Sequence, residues 1–319
     1  MTNLKADLSV VIPVYNSSQT LFELVERLEK VLKEIVNNKY EIVFVNDGST
    51  DSSWDLLKKL ASSNDKIIAI NLTRNFGQHN ALMCGFSMAH GKYLITLDDD
   101  LQNPPEEIPK LFNEIQNGYD VVYGIYDTKK HTKFRNLGSN IIQFFYCKVF
   151  NINIRLTSFR IMKRETVQFL LSYERSFTFI DGIIAWYTKK IKNVIVRHQN
   201  RKIGDSGYSL KKLIILALNM ITNFSLVPLQ IASLTGLFFS FVGFIFGSFF
   251  LIKKMFFGIP VSGFASTIVA ITIFSGVQLL TMGVLGEYVG RIHINVNKRP
   301  QYAIRDIVKS GKNKRAKVN

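Results

Sequence analysis

The chain has 319 residues, with 40 Lys and Arg against 24 Asp and Glu and a formal net charge of +16. That length holds one full catalytic domain and something smaller, and the two cysteines, Cys84 and Cys147, share no motif spacing and read as reduced packing residues of a cytosolic domain. So basic a chain needs an anionic partner; nucleic acid is set aside because no basic stripe is interleaved with aromatics, and a membrane surface fits better.

Leu8–Val14 is a short apolar run closed by Pro13 and Asn16, the mark of a buried strand; beginning so early, it leaves no room for a signal peptide. Thr20 and Glu23 have capping-box spacing, and helical periodicity continues to Val36. Strands follow at Glu41–Val45, Ile67–Asn71, Tyr93–Leu97 and Asp120–Tyr123. Helices are expected at Asp51–Ala61, at Asn80–Ala89 and after Pro104-Pro105. This alternation predicts an open, mainly parallel α/β sheet covered on both faces, with ligands at the carboxyl ends of its strands.

Beyond Tyr123 the regularity changes. Lys133–Phe150 and Tyr208–Phe224 each carry a basic start and an apolar continuation, a pattern suited to the membrane interface, although packing of the first on the sheet fits equally. Residues 229–252 and 259–286 contain no charged residue, and each exceeds the roughly 20 residues that span a bilayer. The alternative is a pair of buried core helices. Lys211 and Lys212 precede the first stretch, and nine basic residues from Arg291 onward face only Asp306. Basic flanks favour the cytoplasmic side, an argument that Lys253 and Lys254 between the stretches weaken without reversing. The expected organisation is a catalytic domain over 1–208, an amphipathic juxtamembrane helix over 209–228, spans at 229–252 and 259–286, and a disordered basic tail over 287–319. Both termini are then cytoplasmic, and membrane lipids are partners.

The chemistry is concentrated where strands end. Asp98-Asp99-Asp100 closes the fourth strand, and three adjacent carboxylates repel one another unless a cation is present. Asp98 and Asp100 can converge on Mg²⁺ or Mn²⁺ shared with phosphate oxygens; the alternative is a solvated acidic turn capping the next helix. Asp47, in Val45-Asn46-Asp47-Gly48-Ser49, follows the second strand and can accept from a nucleobase imide or a ribose hydroxyl. Pro13, Tyr15 and Asn16 can wall the base, Arg74 can meet a phosphate, and Gly77 permits close backbone approach. His79, lacking metal-spaced partners, reads as a local hydrogen-bonding residue, and Glu287 as a partner of Arg291 one helical turn on or of a lipid headgroup.

These segments resemble the family 2 glycosyltransferases of GT-A fold, in the branch of dolichol-phosphate mannose synthase and the bacterial undecaprenyl-phosphate aminoarabinose and glucosyl transferases. The likeness runs through VIPVYN, VNDGS, RNFGQHNA and LDDDLQNPPEEIP to Arg201-x-x-Gly204-x-Ser206-x-Tyr208 and Leu285–Ile292. It implies a GT-A open sheet followed by interfacial helices and a two-helix transmembrane hairpin. It also implies inverting transfer of a sugar, most often UDP-linked, to a polyprenyl phosphate, and assembly as a homo-tetramer.

Residue by residue, the resemblance gives Asp98, Asp100 and Gln102 to the cation and diphosphate, and Asp47 with Pro13 and Tyr15 to the base. It gives Arg135 and Arg201 to the phosphates of donor and lipid acceptor, Arg160 to the acceptor side, and Ser206 and Tyr208 to the acceptor loop. Two departures stand out: no carboxylate lies between Asn151 and Arg164, and Gly207 replaces a frequent lysine. A dedicated base is not required, because a phosphate monoester is largely ionised at neutral pH; Asp99 or Asp100 remains available for that role. Two rivals are a processive polysaccharide synthase and a non-catalytic scaffold that binds nucleotide sugars. Neither Trp54 nor Trp186 ends the Gln-x-x-Arg-Trp motif of the first, and the intact acidic triplet speaks against the second.

Overall fold

The structure, a computed structural model, describes residues 6–126, 154–175, 177–199, 222, 225–257, 263–297, 300–310 and 312–315. The chain divides into two compact units, Met1–Tyr208 with Lys298–Asn319, and Ser209–Asn297. All of Lys133–Phe150, most of the expected juxtamembrane helix, and Arg135, Arg201, Ser206 and Tyr208 lie outside the described residues.

In the first unit the chain runs β1 (Ala6–Val14), α1 (Leu21–Val36), β2 (Tyr40–Asn46), α2 (Ser53–Ser63), β3 (Ile67–Leu72), α3 (Gln78–Met88) and β4 (Gly91–Thr96). A 3₁₀ turn (Pro105–Glu107) leads into α4 (Ile108–Ile115) and β5 (Val121–Ile125). All the strands and helices expected up to this point are present. β2 and β3 are buried at every position, as strands of a parallel sheet covered on both faces must be. α1 buries Leu21, Leu24, Val25, Leu28, Val31 and Leu32 on one stripe, a three-to-four residue spacing that keeps them on one helical face.

Elements not expected from the sequence follow: β6 (Arg160–Lys163), α5 (Arg164–Leu171), α6 (Ile180–Tyr187) and β7 (Ile191–Ile195). After the helices of the second unit come β8 (Ile304–Lys309) and β9 (Lys312–Arg315). The described strands form one sheet in the order β7-β5-β6-β4-β1-β2-β3-β8-β9. β4, β1, β2 and β3 are mutually parallel, with Val10 opposite Ile42 and Val11 opposite Thr96. β6 is antiparallel to β4 and β5, and β8 to β3. The sheet is therefore mixed, with its parallel run at the centre.

The C-terminal segment corrects the expected disordered tail over 287–319. β8 pairs with β3 from Ile68 opposite Lys309 to Leu72 opposite Ile304 and buries Val308. Pairing with β3 on one side and β9 on the other, with Val308 in the core, outweighs the charge of the segment. Its approach is fixed by Gln301 Nε2, which donates to the carbonyls of Tyr173 and Arg175 (both 2.8 Å). Thr73 N–H donates to the Ala303 carbonyl (2.9 Å).

The second unit contains α7 (Val227–Phe257) and α8 (Phe264–Val296). Both are long and apolar enough to cross a membrane, and large side chains such as Phe244 and Leu280 stand exposed along them. α8 runs ten residues past the expected end at 286, so residues 287–296 are helix and not tail. Arg291 donates to Glu287 (2.6 Å), the pairing expected from their spacing, and Tyr288 Oη donates to the Ser225 carbonyl (2.7 Å).

Candidate active site

The four strand ends of the parallel run carry the loops that matter. After β1, Asn16 adopts a positive φ of 54°, which asparagine tolerates better than most residues. Its Oδ1 accepts from the backbone N–H of Thr50 (2.8 Å), and its own N–H donates to Ser49 Oγ (3.0 Å). Asn16 thus staples the first loop to the second, leaving Tyr15 half exposed beside it and Pro13 partly buried in β1.

After β2, Asp47 is buried, and its two oxygens accept the backbone N–H groups of Phe76 (2.7 Å) and Gly77 (2.9 Å). Burial pushes its carboxyl up and those two hydrogen bonds pull it back. Asp47, expected to accept from a nucleobase imide or a ribose hydroxyl, also shapes the loop after β3. Gly48 makes the same contact possible: at φ 70°, a Cβ there would stand 2.5 Å from Asn75 N. Gly77, at φ 88°, opens α3, and Arg74 is exposed with its guanidinium over the Phe76 ring.

The acidic turn after β4 is held from several sides. Asp98 accepts from Gln78 Nε2 at Oδ1 (2.7 Å) and from Ser158 Oγ at Oδ2. Asp99 accepts the Tyr15 N–H (3.1 Å), and its carbonyl accepts Thr20 Oγ1 (2.6 Å). The Thr20 hydroxyl is therefore spent on this turn and on Ser17, and the expected capping box does not form. Asp100 accepts the Gln102 N–H (3.1 Å), and the Gln102 carbonyl accepts the Gln199 N–H (2.9 Å). Leu101 sits at φ 61° with its side chain buried in the core, a conformation costing on the order of 1 kcal/mol that the surrounding contacts hold in place.

The electrostatics are those of crowded carboxylates. Burial pushes the Asp98 carboxyl up, the Ser158 hydrogen bond opposes it, the Asp100 charge adds to it, and the Arg160 charge counters. Burial likewise raises Asp99, to about 6.

Arg160 is placed differently from the expectation. Its side chain is 1% exposed and ion-paired with Asp181, which also accepts from Tyr123 Oη (2.8 Å). A guanidinium so enclosed cannot reach an acceptor phosphate; it is a buried counter-charge behind Asp98. His79 is corrected too. Its Nδ1 is buried without a hydrogen-bond partner, its ring stands edge-on to Phe179, and burial holds the imidazole down at about 4. It is a packed neutral ring.

Comparison with known proteins accounts for this arrangement. The model of Glycosyl transferase family 2 matches residues 9–179. The chain belongs to that family. Among its relatives is the undecaprenyl-phosphate 4-deoxy-4-formamido-L-arabinose transferase of Pseudomonas savastanoi pv. phaseolicola, 36% identical over 95% of this chain and 91% of the relative. The protein of the same description from Photorhabdus laumondii is 37% identical over 95% of both. Among solved structures, mannosyl-3-phosphoglycerate synthase from Rubrobacter xylanophilus superposes with a TM-score of 0.52 at 16% identity, covering 68% of this chain and 74% of that one. Glucosyl-3-phosphoglycerate synthase from Mycobacterium tuberculosis, in complex with Mn²⁺, UDP-glucose and phosphoglyceric acid, gives 0.51 at 14% identity, covering 69% and 78%. At such identities the structures speak to the fold, which is GT-A-like.

For this family 2 member the donor set of the acidic turn can be tested against a cation. Among the described residues no three His, Cys, Asp or Glu side chains converge into a self-sufficient cage. What the turn offers is hard carboxylate oxygen, desolvated and crowded at Asp98. That fits Mg²⁺ or Mn²⁺, which complete their shells on substrate phosphates and water.

Sequence reasoning missed Gln78, Ser158 and Asp181. Gln78 lay inside a quoted segment, and Ser158 stood two residues before an arginine that drew attention for its charge.

Proposed function

We propose that this glycosyltransferase moves a sugar from a UDP-linked nucleotide sugar to undecaprenyl phosphate at the cytoplasmic face of a membrane. The observation that carries the reading is the convergence of three loops: the acidic turn is bonded to the Arg74–Gln78 loop through Gln78, and that loop to the Asp47 turn through Phe76 and Gly77. Such a junction at the carboxyl ends of parallel strands suits a nucleotide diphosphate. The named relatives, aligned across both apolar helices, supply the acceptor class.

Transfer is a single in-line displacement. A lipid phosphate oxygen forms a bond to the anomeric carbon as the bond from that carbon to the nucleoside diphosphate oxygen breaks, inverting configuration. The attacking monoester is largely ionised at pH 7, its second pKa being near 6, so it needs little proton removal; Asp99 or Asp100 is available for any that remains. Asp98, Asp100 and Gln102 would hold a divalent cation, which would supply charge stabilisation for the leaving diphosphate. Tyr15, Pro13 and Asn16 wall the base, and Arg74 meets the donor. Arg135, Arg201, Ser206 and Tyr208 take the acceptor side by resemblance. α7 and α8 anchor the chain in the bilayer with both termini cytoplasmic, as their basic flanks favour. Assembly as a homo-tetramer completes the proposal and is read by native mass spectrometry in detergent.

The test is transfer by purified protein with undecaprenyl phosphate, Mg²⁺ or Mn²⁺, and a panel of labelled UDP-, GDP- and dTDP-sugars. A labelled lipid product names donor and class together; labelled product only with a non-lipid acceptor overturns the acceptor assignment.

A further inference from the structure

We propose that Gln78 and Ser158 are positioning residues that hold the Asp98 carboxylate in the orientation a divalent cation requires. This rests on the cation reading above and goes beyond it, since neither residue is expected to touch the ion or the substrates.

The argument begins with the freedom a carboxylate ordinarily has. The terminal torsion of aspartate is broad, so an acidic turn alone leaves the direction of its lone pairs undetermined. Here both oxygens of Asp98 are engaged by side-chain donors from different parts of the chain. Gln78 Nε2 reaches Oδ1 (2.7 Å) from the first residue of α3, and Ser158 Oγ reaches Oδ2 from the segment leading into β6. Each carboxylate oxygen has two lone-pair directions, so a clamp using one on each side leaves the others directed outward.

The clamp is itself anchored. The Ser158 carbonyl accepts the Thr96 hydroxyl, two residues before Asp98 on the same strand end. Phe159 beyond it is fully buried, and Arg160 is locked on Asp181. On the other side, Gln78 follows Gly77, whose N–H is fixed on Asp47. Rotation of Asp98 therefore disturbs the Arg74–Gln78 loop and the β6 lead-in together. Donor loop and acidic turn are coupled through one carboxylate.

Residues that orient a metal ligand without touching the metal commonly change affinity or activity by about 10- to 100-fold when removed. The test uses the full chain in detergent, with UDP present, titrated with Mn²⁺ and read by electron paramagnetic resonance, beside transfer assays and thermal melting. Ser158→Ala and Gln78→Met are each expected to weaken Mn²⁺ binding by about 10-fold or more, while Ser158→Thr, which keeps the hydroxyl, restores it. Gln78 is exposed at a helix start, so its variant probes the clamp even where Ser158→Ala disturbs folding. The clamp is overturned if wild-type protein binds Mn²⁺ and both deletion variants bind it within about threefold of wild type. Failure of the wild-type protein to bind Mn²⁺ at all is a different result, which removes the cation reading and the clamp with it.

Discussion

The central strands carry a hydrogen-bonded carboxylate at each end, and the two groups are built from similar parts to opposite effect. At the amino end, Glu41 of β2 accepts from Ser9 Oγ of β1 (2.6 Å) and from the N–H of His90, just before β4. His90 Nδ1 lies 3.4 Å from the other oxygen, and Ser9 Oγ accepts the Gly91 N–H (2.7 Å). One carboxylate thus joins three strands and is enclosed by donors of the protein itself. At the carboxyl end, Asp98 also accepts a serine hydroxyl, but two more carboxylates follow it directly, and burial raises the pKa of both Asp98 and Asp99. The amino-end carboxylate is cement; the carboxyl-end turn sets three carboxylates side by side, an arrangement that suits the cation proposed above.

The contrast can be broken by mutation. Asp100→Ala should lower transfer by about 10³-fold, since charge stabilisation by a bound cation is worth several kcal/mol, with the melting temperature held or raised. A variant that melts early and retains transfer would put the carboxyl end on the same footing as the amino end. Next in size is the buried pair behind the site. Asp181→Ala leaves Arg160 uncompensated and should cost about 3–5 kcal/mol of stability, read as a large drop in melting temperature whether or not Mn²⁺ is present.

His79 sharpens the comparison through pH. Its folded-state pKa of about 4 lies below the ordinary 6.5, so the unfolded chain binds more protons between those values and stability falls as pH drops through that window. Wild-type protein should lose about 2 kcal/mol more than His79→Phe between pH 7 and pH 5; parallel melting curves for the two would exclude a buried neutral ring. Smallest is Glu41→Gln, expected to cost about 1 kcal/mol while transfer per folded molecule is unchanged. A fall in transfer there would mean that the amino end also serves the reaction.

The parts legible in the sequence are those fixed by local pattern. β1 to β5 are apolar runs punctuated by turn residues, and each of their loops carried a motif that could be read in place. β6, Arg-Ile-Met-Lys, is four residues long and charged at both ends, so it offers no run to read; its pairing with β4 and β5 comes from tertiary contact. β8 was hidden by charge, because Arg305, Asp306 and Lys309 read as part of a basic tail, and its pairing with β3 and β9 comes from tertiary contact. Within the site, the identity of the acidic turn was visible and its supports were not. Arg160 and Asp181 are 21 residues apart, and no spacing rule distinguishes an arginine waiting for a phosphate from one already buried on a carboxylate.

β8 has one more consequence, which concerns the order of synthesis. Because the strand beside β3 is made of residues 304–309, the two long apolar helices are an insertion in the catalytic unit and not an appendage to it. On the ribosome, β3 waits with an open edge until both helices have been made and residues 304–309 have emerged. A chain that stops after its second helix is anchored and lacks the edge of its sheet, and a chain cut before the first helix lacks it too. Shortening this protein from its C-terminus does not yield a smaller complete enzyme. A soluble version calls for excision of the helices with the ends rejoined, so that β8 still returns to β3.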